Sequence, residues 1–183
     1  MSKLLIICFA LVFSGIMNLS AQSVAIDKVR EQFFAFDKEG NMALMLYKSL
    51  EKIDLTKDPV LMAYRGASSA ASAGSVSGVW KKLEYFNHGK SELEKAVGMK
   101  PLDAEIRFLR LATQVNAPGF LGYSGDKKND KAIILQTLNG VNSNHPNAYL
   151  YLRISRFMLA HAELTASEKN SVNQLIVKFD TKK

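Results

Sequence analysis

The chain holds one cysteine, one tryptophan, three histidines and four prolines in 183 residues, and these scarcities remove whole classes of structure and chemistry. The lone Cys8 excludes an internal disulfide framework and any site built from several thiolates. His88, His145 and His161 are not spaced three or four apart, so no helical zinc pair is encoded. There is no phosphate loop and no dinucleotide fingerprint. Gly74-Ser75-Val76-Ser77-Gly78 has the serines of a nucleophile elbow, but Val76 stands at its centre and no strand precedes it. Lysines are scattered (Lys81, Lys82; Lys127, Lys128, Lys131; Lys178, Lys182, Lys183), without the basic block or interleaved aromatics that nucleic-acid binding needs. No cofactor, metal, catalytic residue or nucleic-acid partner is therefore expected.

What is present is ordinary for a folded domain. Hydrophobic residues make up 48% and charged residues 22%, with 24 Lys and Arg against 17 Asp and Glu, for a formal net charge of +7. That balance is too apolar for disorder. A chain of this length buries roughly two thirds of its unfolded surface, enough for a core without staples.

Residues 1–21 have the order of a secretory signal peptide: Lys3, the apolar run Leu4–Phe13, then a small polar stretch ending Leu19-Ser20-Ala21. Cleavage is expected after Ala21. The run Leu4–Met17 is shorter than the ~20 residues of a spanning helix, and no longer run follows, so no membrane span is expected after its removal. Cys8 lies within the leader, so the mature chain would be thiol-free and could use no cysteine nucleophile. Lys3 is the only charge in the leader, and its loss lowers the net charge from +7 to +6. The expectation is an exported protein, periplasmic or secreted, with a single α-helical domain over 22–183.

The rest reads at helical period, and no alternating run is long enough for a strand. Ile26, Val29, Phe33 and Phe36 share one face of a helix over about 24–37. Asn41 caps a second, about 42–53, with Met42, Leu46, Leu50 and Ile53 as its stripe. Asp58-Pro59 opens a third, about 59–73, whose Gly66–Ala73 block of small residues predicts close approach of a neighbouring helix. The fourth, about 79–97, carries Trp80, Leu83, Phe86, Leu93 and Val97, with a weak point at Asn87-His88-Gly89 and a stop at Gly98. Asp103 caps a fifth that contains Ile106, Leu109 and Leu111 and ends near Val115. Asn116–Tyr123 is irregular. Helices near 128–138, 146–160 and 166–179 follow, with Asn144 or His145 capping before Pro146 and a capping box at Thr165–Glu168.

The stretch from Trp80 to Lys90, continuing through Leu93–Val97 to Pro101, resembles the second half of a tetratricopeptide repeat. The order KLEYFNHGK, LEKAV, KP, EIRFLRL, NAPGFLGY, NDK, covering most of residues 60–135, is also similar to a family of uncharacterised exported helical proteins of Gram-negative bacteria. The resemblance implies a helical fold and export, and it carries over no activity. No second copy lies at the ~34-residue period, and the Trp-Leu-Gly-Tyr half of the signature is missing. The expected fold is all-α: about eight helices in stacked antiparallel pairs, an irregular tetratricopeptide-like array.

Carboxylates pair at Glu92/Glu94 and Glu31/Asp37, the first pair on different sides of its helix. Asp126 and Asp130 share a face, but interleaved Lys127, Lys128 and Lys131 predict ion pairs and helix-dipole compensation. Arg107 and Arg110, three apart beside Glu105, are either a structural pair, held by Glu105 or a nearby carbonyl, or two guanidinium forks offered to an anion. Tyr64, Trp80, Tyr85, Phe120 and Tyr123 are mostly core, and those on a concave face would anchor a peptide. The leading expectation is a binding or scaffolding module that presents a groove to a peptide or protein partner, with these seven residues as candidate contacts. The alternatives are an envelope hydrolase using Asp126, Asp130 or His88, and a subunit of an envelope complex.

Overall fold

Asp58 and Asp103 each stand just ahead of an apolar helical run, and in the computed structural model, which describes residues 26–36 and 41–180, both are N-caps. Asp58 Oδ1 accepts from the Leu61 N–H at 3.0 Å, with Pro59 in the first turn, where its missing donor costs nothing. Asp103 accepts from the N–H groups of Glu105 and Ile106 at 3.0 and 3.1 Å. The capping box is reciprocal: the Thr165 N–H donates to Glu168 Oε2 at 2.7 Å and the Glu168 N–H to Thr165 Oγ1 at 3.3 Å. The expected signal peptide, residues 1–21, lies outside the described residues.

The described chain is all-helical. Its helices are α1 (26–33), α2 (Met42–Glu51), α3 (Pro59–Ser72), α4 (Val79–Met99), α5 (Ala104–Asn116), α6 (Lys127–Gly140), α7 (Ala148–His161) and α8 (Ala166–Asp180), with a 3-10 turn at Gly119–Leu121. No strand occurs among the described residues, and no described helix is long and apolar enough to cross a membrane. From α2 to α6, and again at α7 and α8, consecutive helices pack on one another, as short connections between antiparallel neighbours require, while α3 also packs on α5 and α6 on α8. The core runs through them all, with Leu46, Leu93, Ile106, Leu109, Ile134, Ile154 and Met158 almost fully buried. Phe33 lies edge-on to Tyr64 at 5.3 Å and Phe34 stacks on Phe108 at 5.6 Å, which fixes α1 against α3 and α5.

Gly66–Ala70 and Ser72 of the small-residue block are buried, and Gly66 and Ala70 form the seam with α4. A Cβ on Gly66 would come within 2.9 Å of the Gly89 carbonyl, and one on Gly89 would strike the Gly66 carbonyl and the Ala70 amide. Gly89 therefore marks the point where two backbones touch, inside an unbroken helix, and not the weak point read at Asn87-His88-Gly89.

Other expectations are corrected. Ile53 is exposed because α2 ends at Glu51, before the stripe reaches it. Trp80, one of the aromatic set expected to be mostly core, is 85% exposed. Asn41 occupies the cap position of α2 without a side-chain bond. The α7 cap falls at Asn147, whose N–H donates to His145 Nδ1 at 3.0 Å.

Candidate functional site

The seven candidate contacts divide between core and surface. Tyr64 is fully buried, and its hydroxyl donates to Glu105 Oε1 at 2.7 Å. Burial, reinforced by the Glu105 carboxylate, pushes the phenol far above its ordinary pKa. Tyr123 is buried edge-on to Phe86 at 5.9 Å and donates to Glu94 Oε1 at 2.7 Å; burial and that bond likewise push its pKa up. Tyr85 is half-buried against Tyr47, ring centroids 5.4 Å apart. Only Trp80 and Phe120 are strongly exposed.

Arg107 and Arg110 are buried, and the structural reading of them is the correct one, although their partner is not Glu105. Residues two apart on a helix do not face each other, so Arg107 turns away from Glu105 and toward α6. Its Nη1 donates to Asp130 Oδ1 at 2.8 Å and its Nε to the Pro101 carbonyl at 2.7 Å. Arg110 grips Asp130 with both ends of its fork, Nε to Oδ2 at 2.8 Å and Nη2 to Oδ1 at 2.7 Å, and reaches Glu94 at 2.7 Å. Burial works against the Arg110 charge, but the bond and attraction to Asp130 outweigh it and raise its pKa. Asp130 lies one turn before Ile134 and two before Leu138 on the buried face of α6, which aims its carboxylate at α5 and away from the lysines expected to pair with it. Lys131 instead meets Glu168 and the Glu163 carbonyl.

Glu105 belongs to a second buried pair. Arg30 of α1 binds it through Nε and Nη2, each at 2.7 Å. A third joins Arg65 of α3 to Glu92 of α4, with Arg65 Nη1 also donating to the Ile53 carbonyl at 2.9 Å. These arginines tie helices together. His88 sits against Tyr47 and lies 3.3 Å from Ser69 Oγ. No cluster of three His, Cys, Asp or Glu able to hold a metal occurs among the described residues.

The concave feature lies elsewhere. A cleft of about 710 Å³ opens between the C-terminal half of α3, the first turns of α4 and the end of α5. Ala67, Ala70, Ala71 and Ala73 of α3 line it, facing Val79, Leu83 and Phe86 of α4, and Phe33, Phe36, Phe120 and Leu121 complete the walls. Lys82 is the only charged residue in the lining, which contains no acid and no histidine. Its volume lies within the ~300–1,000 Å³ usual for small-molecule sites. Phe120 is the one candidate contact that lines it, and Trp80 adjoins it through Val79. The other lining residues were missed because small and apolar residues drawn from several separate segments carry no sequence signal of a shared cavity; the usable signal was the irregular Asn116–Tyr123 stretch. Comparison with family models, with curated proteins and with solved structures found no match.

Proposed function

We propose that the protein is an exported, non-catalytic binding module that holds an apolar ligand, or the apolar segment of a partner, in the cleft between α3, α4 and α5. The observation that carries this reading is the lining: predominantly apolar, with a single cation, two polar side chains (Thr113 and Asn116) and no acid–base pair. Asp130, the one fully buried carboxylate of the hydrolase alternative, is saturated by two arginines, which suits a structural role better than proton transfer.

The test is titration with the uncharged dye N-phenyl-1-naphthylamine. One saturable site is expected, and Ala71→Phe should abolish it, since Ala71 is exposed on α3 and its side chain borders the cleft. A folded wild type that takes up no dye would remove the reading. Export is checked separately by the mass of the protein recovered from cells, with a mature N-terminus at Gln22 expected.

A further inference from the structure

We infer that the ligand of this cleft is a single-chain anionic amphiphile, a long-chain carboxylate whose hydrocarbon tail lies along the alanine floor while its head meets Lys82. The inference rests on the binding-module reading and adds the ligand's chemistry.

Charge is the first ground. Lys82 is exposed, lines the cleft and has no carboxylate partner among the described residues; Lys81 stands beside it. An apolar cavity whose lining has one unpaired cation and no anion complements a ligand with a single negative charge at one end.

Main-chain accounting is the second. An extended peptide brings an N–H and a C=O with every residue, and each one left unpaired against apolar walls is costly. Besides Lys82, the polar side chains of the lining are Thr113 and Asn116. The Thr113 hydroxyl already donates to the Leu109 carbonyl at 2.9 Å and Asn116 Nδ2 to the Ala112 carbonyl at 2.8 Å. A helical ligand satisfies itself, but at a diameter of ~10 Å it would fill 710 Å³ with less than two turns. A hydrocarbon chain makes no such demand.

The rim is the third. Val79 and Phe120 both line the cleft and are 71% and 84% exposed, so apolar surface stands open at its edge. A hydrocarbon chain that enters the cleft covers this open apolar edge as well as the floor.

Trp80 is the only tryptophan and directly follows the cleft-lining Val79 in the chain, so the protein carries its own reporter. Purified protein is titrated with dodecanoate below its micelle concentration and, separately, with dodecanol, following Trp80 emission and heat. A one-site blue shift is expected with dodecanoate, and affinity should rise about fourfold per added methylene across shorter homologues. Lys82→Glu should weaken dodecanoate at least tenfold and leave dodecanol unchanged, with circular dichroism confirming the fold of each variant. Dodecanol binding as tightly as dodecanoate, or Lys82→Glu without effect, overturns the inference and leaves the binding-module reading intact if Ala71→Phe still blocks the dye. An amphipathic peptide that occupies the cleft and resists displacement by dodecanoate also overturns it. Absence of binding by dye, dodecanol and dodecanoate alike sinks both.

Discussion

Asp130 is fully buried between two guanidinium groups, so removing its charge leaves Arg107 without a carboxylate among the described residues and Arg110 with only the half-exposed Glu94 and Asp126. Asp130→Ala is expected to cost about 3–5 kcal/mol, the usual penalty for breaking one side of a buried pair, measured by urea unfolding. Tyr64 sets a limit at the alkaline end. Its folded pKa is raised, so its contribution is complete below its ordinary value of 10.0 and is lost as pH rises past it, because only the unfolded chain then releases the proton. Absorbance at 295 nm should therefore show Tyr64 titrating only together with unfolding. In Tyr64→Phe the part of the alkaline destabilisation that comes from this residue should disappear.

At the scale of the element, α4 offers a controlled comparison in its own glycines. Gly89→Ala would drive a methyl into the backbone of α3 and should destabilise by about 3 kcal/mol, the upper end of overpacking costs, since backbone does not yield like a side chain. Gly98→Ala meets nothing within 4 Å and should stabilise by up to about 1 kcal/mol, through helix propensity alone. Thermal melts of the two variants read both signs. The same helices explain what could be read in advance. The caps at Asp58, Asp103 and Thr165 were legible because each joins residues two or three apart and needs nothing from the rest of the fold. The ion pairs were not: Arg30 finds Glu105 from 75 positions away, and Arg110 finds Asp130 from 20, so helix packing decides partners that spacing cannot. The exposure of Trp80 was not legible for a related reason, since helical period groups residues on one face without saying what covers that face.

Across the whole molecule, burial and exposed apolar surface are kept apart. Phe120 lines the cleft and Trp80 is exposed beside the cleft-lining Val79, both outside the core, so Trp80→Ser and Phe120→Ser should each leave the stability within about 0.5 kcal/mol of wild type, and Phe120→Ser should reduce dye uptake. A larger loss of stability would show that the rim supports the fold. The cleft itself was the least legible part of the site: the alanines of α3 read as helix contact, which is what Gly66 and Ala70 provide against Gly89, while neighbouring alanines on that same helix floor an open space. The three buried ion pairs join α1 to α5, α3 to α4 and α5 to α6, and this arrangement bears on how the sequence can diverge. Loss of one member alone is severe, whereas an apolar set of matching volume is about as stable as the charged one or more so. Descendants can therefore exchange Arg107, Arg110 and Asp130 only as a group, and the intermediate sequences form a valley that holds these positions in place whatever ligand the protein comes to bind.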